Sequence, residues 1–332
     1  MDEPLWTDRF APALADLPQE DARDYLGNAV GEPLNLVVHG PRGVGKTAAV
    51  RALARESHAD PDNDLVEINV ADVFNRRKTD IKNDPRFASF LDGHSDLSKR
   101  EMLKLVFREM AGYAPASGSY KTLVLDNAEA IREDFQQALR RLMERHHEAT
   151  QFVIVTRQPT KLIPPIRSRC FPVPIRSPSE SETASVLEDV ADRADADYDE
   201  DGLRYVASWA DGDLRKAILG AQTTHAEAGE ITMDAAYEAL SDVGPRSDVT
   251  AMLDAAEAGE FTDARSTLDD LLNDDGYSGD EVLDAILDAG RSRYDGERLA
   301  RLHRRAGEAD LDLASGTSDR LHLAHLLADL AD

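Results

Sequence analysis

Apolar positions divide the chain into two kinds of territory. In the first half, short continuous apolar runs alternate with longer stretches of helical period. LNLVVH, 34–39, leads into GPRGVGKT and then AAVRALARE; DLVEINVAD predicts a second strand ending near Asp72. KTLVLD, 121–126, is a third strand and QFVIVT, 151–156, a fourth. Between these two, EDFQQALRRLMERHHEA places Phe135, Leu139, Leu142 and Met143 at helical spacing. Strands alternating with helices predict a parallel sheet in an α/β domain. That pattern stops near Val173. After PIRSPSE every segment reads as helix, with Pro178 and Ser179 starting the first. A break at VGPRSD, 243–248, precedes amphipathic helices such as FTDARSTLDDLL and GDEVLDAILDAG, and no strand is expected in the last third. The expected organisation is an α/β domain over 1–173, a helical domain over 174–243 and an all-helical domain over 244–332.

One segment fits neither pattern. VFNRRKTDIKNDPRFASFLDGHSDLSKR, 73–100, is polar and weakly periodic. It predicts a solvated, partly disordered loop. Its basic cluster of Arg76, Arg77, Lys78 and Lys82 makes a phosphate-contacting loop the alternative.

Composition narrows the class. No run of 18 apolar residues occurs, so no membrane span is expected. MDEPLWTDRF lacks the basic and apolar regions of a signal peptide, and the single Cys170 excludes an intramolecular disulfide. A soluble cytoplasmic protein is the expectation. Net charge is −26, and only eight of the 38 bases are Lys. The acids scatter through every expected helix, which favours adaptation to a salty cytoplasm over a single acidic tail. At molar salt the Debye length is about 3 Å, so net acidity does not exclude nucleic acid as a partner.

The chemistry lies in a few short stretches. GPRGVGKT, comprising Gly40, Pro41, Arg42, Gly43, Val44, Gly45, Lys46 and Thr47, matches the P-loop pattern in full between an apolar strand and a helix. Its backbone N–H groups suit the phosphates of ATP, Lys46 adds a point charge, and the Thr47 hydroxyl suits Mg²⁺. Asp126, ending the third strand, is the expected second acid around the metal. Asn127 follows it, and an amide takes no proton from water at neutral pH. Glu129, two residues further on, is expected to point elsewhere. In IRSRC, 166–170, Arg169 is either a surface charge or an arginine finger.

GPRGVGKT, LDNAE, QQALRRLME, PPIRSRC and GDLRKA, in this order, resemble the small subunits of replication factor C, a AAA+ sliding-clamp loader. The resemblance covers nearly the whole chain. It implies a AAA+ P-loop domain, a helical lid and a helical collar that holds five subunits in a ring. It implies ATP and Mg²⁺ as ligands, and sister subunits, a sliding clamp and primer–template DNA as partners. It makes Arg169 an arginine finger acting on a neighbour and Arg215 the sensor 2 residue. The DNA candidates are the 76–82 cluster and Arg140 or Arg141.

The chain departs from that family where its own hydrolysis would be catalysed. Asn127 stands at the catalytic Glu position, Arg157 at the sensor 1 Asn, and Phe10-Ala11-Pro12 at a Tyr-Arg-Pro. Weak hydrolysis in cis is expected. Two rivals stay open: another AAA+ replication ATPase such as an initiator or helicase loader, and a non-hydrolysing scaffold.

Overall fold

The computed structural model describes residues 4–94, 96–241, 246–273, 277–315 and 318–330. Two compact units emerge, Met1–Ala236 and Tyr237–Asp332. The expected boundary at 243/244 lies outside the described residues.

The first unit is built on five parallel strands: β1 (Leu36–His39), β2 (Leu65–Asn69), β3 (Lys121–Asp126), β4 (Thr150–Thr156) and β5 (Phe171–Pro174), in the spatial order β2-β3-β4-β1-β5. Their apolar runs are continuous because both faces are covered. Val37, Leu123, Leu125, Phe152 and Ile154 face one layer, which includes Met102, Phe107 and Phe135. Leu36, Val38, Val124, Val153 and Val155 face the other, which includes Ala49, Val50 and Leu53 from the helix Lys46–Ser57. β1 sits between β4 and β5, so the loop leaving it emerges one strand in from the β5 edge of the sheet. On the outer strand β5, the N–H groups of Phe171 and Ile175 donate to Asn35 and His39, while Pro172 and Pro174 occupy the alternate positions.

The 73–100 segment departs from the expected loop. Val70–Asn75, Lys78–Asn83 and Pro85–Leu91 are helical, and Ile81, Phe87 and Leu91 are buried in the same core as Phe107 and Phe135. Each helix has at most two turns, too short for a period to register. Asp84 organises the segment: it caps the Pro85–Leu91 helix by accepting from Arg86 N at 2.9 Å and pairs with Arg76 at 2.8 Å and Arg86 at 2.7 Å. Arg76 also pairs with Asp72, so part of the basic cluster is committed internally. β2 ends at Asn69 rather than near Asp72, because the Asn69 side chain caps the next helix.

Beyond β5, Ser179 and Glu182 form a capping box at the start of Glu180–Ala194, as the sequence predicts. The helices Glu200–Ala210, Leu214–Ala228 and Met233–Ser241 follow. One expectation fails here: Asp197–Tyr198 and Glu230–Ile231 pair as a two-residue parallel ladder. Two residues carry no alternation to read.

In the second unit the described helices are Arg246–Glu257, Phe261–Asn273, Gly279–Arg293, Gly296–Ser315 and Asp319–Leu330. They enclose a core that includes Val249, Leu253, Leu268, Ile286, Leu302 and Leu323. Gly290 allows close packing, since a Cβ there would lie 2.1 Å from Leu302 Cδ2.

Candidate functional site

The 40–47 loop joins the C-terminal end of β1 to the helix Lys46–Ser57. Gly45 and Gly40 meet two different geometric demands. Gly45 has φ 95° immediately before the helix, a left-handed conformation that strains any side chain. At Gly40 a Cβ would lie 1.9 Å from the Ile175 carbonyl oxygen. Gln19, buried and unremarkable in the sequence, pins the loop by donating to the carbonyls of Val44 and Arg176 at 3.2 and 3.0 Å. Lys46 Nζ donates to the Gly40 carbonyl at 2.9 Å and also to Pro41. Pro41 and Arg42 are exposed at the loop's outer turn.

Next to the loop, the Thr47 hydroxyl donates to Asp126 Oδ2 at 3.0 Å. A hydroxyl beside a carboxylate at the end of a parallel strand is the oxygen donor set that Mg²⁺ accepts, next to amides and an ammonium that suit phosphate. The residues present therefore fit a magnesium–nucleotide ligand.

Asn127 takes a left-handed conformation, φ 53°, which Asn tolerates. Its side-chain amide donates to Asn69 Oδ1 at 3.2 Å. The turn that follows, Ala128–Ala130, carries Glu129 to the end of β4. Glu129 accepts from the Thr156 hydroxyl at 2.7 Å, from Arg157 N at 3.3 Å and from Arg157 Nε at 3.1 Å. Burial pushes its pKa up, but the donors from Thr156 and Arg157 outweigh that and hold it below the ordinary value. It is a carboxylate already engaged, and a poor proton acceptor.

The site gathers charge around Lys46. Burial lowers the Lys46 pKa; Asp126 and Glu129 oppose that, while Arg157 and Arg215 add to it. Arg215 lies in the first turn of Leu214–Ala228, and its backbone N–H donates to the Gly43 carbonyl at 3.3 Å. Asp213 caps that helix, and a Cβ on Gly43 would lie 1.9 Å from its carboxylate. The helical region thus meets the loop directly. Asp213 was findable as a helix cap ahead of an apolar stretch.

Arg169 is placed otherwise. Its guanidinium pairs with Glu144 Oε1 at 2.7 Å and donates to the Pro165 carbonyl at 2.8 Å. Glu144 belongs to the helix Glu133–His146 and also takes Arg140 Nε at 3.0 Å. Arg141, on the same helix, is exposed.

Comparison with known proteins agrees with this architecture. The model of the ATPase family associated with various cellular activities (AAA) matches residues 36–178, and that of the replication factor C C-terminal domain matches 244–329. The replication factor C small subunit of Halobacterium salinarum is 30% identical, with 98% of this chain and 96% of that protein covered. Those of Natronomonas pharaonis and Methanocella arvoryzae are each 31% identical over 98% of this chain, covering 95% and 96% of their own lengths. Two Thermotoga maritima RuvB variants share the fold at TM-scores of 0.52 and 0.53 and 16% identity, covering 81% of this chain and 87% of theirs. Among the described residues no helix is long and apolar enough to cross a membrane.

Proposed function

Because the chain belongs to the replication factor C small-subunit family, we propose that it is one ATP-binding subunit of a sliding-clamp loader. In this reading it assembles with sister subunits into a ring of five and helps place a clamp on primer–template DNA. Residues 1–173 form its AAA+ domain, 174–243 its lid and 244–332 its collar.

One observation carries the division of roles within the site. The Thr47–Asp126 pair and Lys46 are in place, yet neither candidate position after Asp126 offers a free carboxylate: position 127 is an amide bonded to Asn69, and Glu129 is held by Thr156 and Arg157. Thr47 and Asp126 would hold Mg²⁺, which when bound supplies charge neutralisation at the phosphates. Lys46 and the loop amides hold and orient the phosphates, and Arg215 brings the lid's charge to the loop. With no available base and Arg157 at the end of β4, the chain holds ATP and turns it over slowly. Arg169 acts on the nucleotide of the adjacent subunit. The acidic, Arg-rich composition, and relatives that include the protein of Halobacterium salinarum, support a chain adapted to high salt in the cytoplasm.

The test is binding and co-purification. The chain is expected to retain a fluorescent ATP analogue, and Lys46→Ala to weaken that binding by about tenfold or more through loss of a charge-assisted phosphate contact. It is expected to co-purify with a sliding clamp and sister subunits. Equal affinity in the Lys46→Ala protein refutes the nucleotide role; absence of any loader subunit from the purified complex refutes the assembly role.

A further inference from the structure

We propose that His39, the residue just before the P-loop, makes nucleotide binding proton-linked: its imidazole takes up a proton when the anionic triphosphate arrives. The inference deepens the nucleotide-binding reading above and rests on it. The sheet gives the placement. His39 ends β1, with Thr156 of β4 and Pro174 of β5 as its register partners, and Gly40 follows it directly. Its backbone is fixed, since its carbonyl accepts from Ile175 N at 2.7 Å. Its side chain is half-buried, and no hydrogen bond to either ring nitrogen occurs among the described residues. An imidazole without a partner holds or loses its proton according to burial and the charges around it.

Those charges come from several elements. Lys46 starts the P-loop helix, and its ammonium is held on the carbonyl of Gly40, the residue next to His39. Arg157 and Glu129, at the end of β4, are paired with each other. Arg176, beyond β5, is paired with Glu182. Asp126, on β3, lies beyond β4 and accepts from Thr47. Arg215 meets the loop from the helix Leu214–Ala228. Of these, Lys46 bears on the imidazole: burial first, and then that ammonium, hold the His39 pKa below the ordinary 6.5. The ring is therefore neutral in the free chain at neutral pH. Phosphates bound on Lys46 offset its field at His39 and bring negative charge of their own. The charged imidazole is then favoured, and its pKa rises. A pKa higher in the complex than in the free chain makes affinity grow as pH falls. The gain begins near the pKa of the complex and is complete below that of the free chain. The competing account gives His39 a packing role alone, neutral in both states.

The test is calorimetric titration of the full chain with Mg²⁺–ATP at about pH 7.5 and about pH 5.5, in pairs of buffers that differ in ionisation enthalpy. The wild-type chain is expected to take up protons on binding at the lower pH. Its affinity there should be about three- to tenfold higher, which corresponds to a pKa rise of up to about one unit. His39→Asn is expected to lose both the uptake and the gain. The nucleotide's own protonation is common to the two proteins and drops out of the comparison. Histidine-selective NMR of the wild-type chain decides the matter independently if His39→Asn does not fold: one imidazole pKa should rise when Mg²⁺–ATP is added. Uptake and gain that persist in His39→Asn, their absence from the wild-type chain, or no imidazole pKa raised by the nucleotide overturns the proposal while leaving nucleotide binding intact. Failure of the wild-type chain to bind Mg²⁺–ATP at either pH overturns both readings.

Discussion

Two arginine–carboxylate pairs of the first unit have similar chemistry and different surroundings. Glu129, 11% exposed, holds Arg157 beside the P-loop; Glu144, 39% exposed, holds Arg169 on the outer helix Glu133–His146. The first carboxylate also takes two further donors, from Thr156 and the backbone, whereas the second shares one oxygen between Arg140 and Arg169. Partly buried pairs escape most salt screening, and exposed pairs contribute little. Arg157 is thus held by the more buried carboxylate and Arg169 by the more exposed one; on the reading proposed above, Arg169 is the arginine given up to an anion on a neighbour.

The largest effect should come from the surrendered arginine. In the assembled loader with clamp and primed DNA, Arg169→Ala is expected to depress steady-state ATP turnover by about 10³-fold or more at the site it serves, the scale of an arginine finger. The isolated wild-type chain should show little turnover to lose. An assembly indifferent to Arg169→Ala, or brisk turnover by the chain alone, would break the contrast.

A third acid sharpens it from the buried side. Asp84 is 6% exposed and is paired with Arg76 and Arg86 while capping a helix. Asp84→Ala should destabilise the first unit by about 2 kcal/mol, through the lost cap, an Arg86 without its carboxylate and an Arg76 left with Asp72 alone. Hydrogen bonds from Arg86 hold the Asp84 carboxyl down to about 2, against 3.8 ordinarily. A folded value below the unfolded one means this stabilisation is complete above the unfolded value. It should fade as pH falls from about 4 toward 2. Chemical denaturation of wild type and Asp84→Ala across that range measures it; curves that stay parallel down to pH 2 would assign the stability elsewhere.

The smallest effect is expected at Glu144. Glu144→Gln should leave the thermal midpoint unchanged within error at low and molar KCl alike, since the pair is exposed and screened. A clear loss confined to low salt would show that Arg169 is anchored there more firmly than its exposure suggests.

Legibility in the sequence followed how local each cause is. The P-loop was readable because its pattern falls within eight consecutive residues, where Gly45 answers a left-handed φ; the approach of Gly40 to the Ile175 carbonyl is long-range and was not readable. Four of the five strands were readable because helices on both faces leave continuous apolar runs; β5, where Pro172 and Pro174 alternate with Phe171 and Val173, was not. The 73–100 segment was not, because Ile81, Phe87 and Leu91 are spread over short helices whose burial depends on Phe107 and Phe135 far along the chain. The partners of Glu129 were not readable for a related reason: they follow from the left-handed turn at Asn127 and a hydroxyl on another strand, Thr156. Asp213 reads as a cap, but its position against Gly43 depends on how the helical region meets the loop.

The outer strand β5 has a lopsided hydrogen-bonding capacity. Phe171 and Ile175 spend their N–H groups inward on β1, and Pro172 and Pro174 have none to offer outward. The rim of the sheet is therefore a row of acceptors without donors. A sixth strand cannot zip onto it, because every second bond of the new ladder would lack its hydrogen. In a protein whose relatives are named as subunits, this makes the sheet a closed unit: another subunit meeting this rim must engage it through side chains, and copies crowded together in a concentrated cell cannot fuse edge to edge into a continuous sheet through β5.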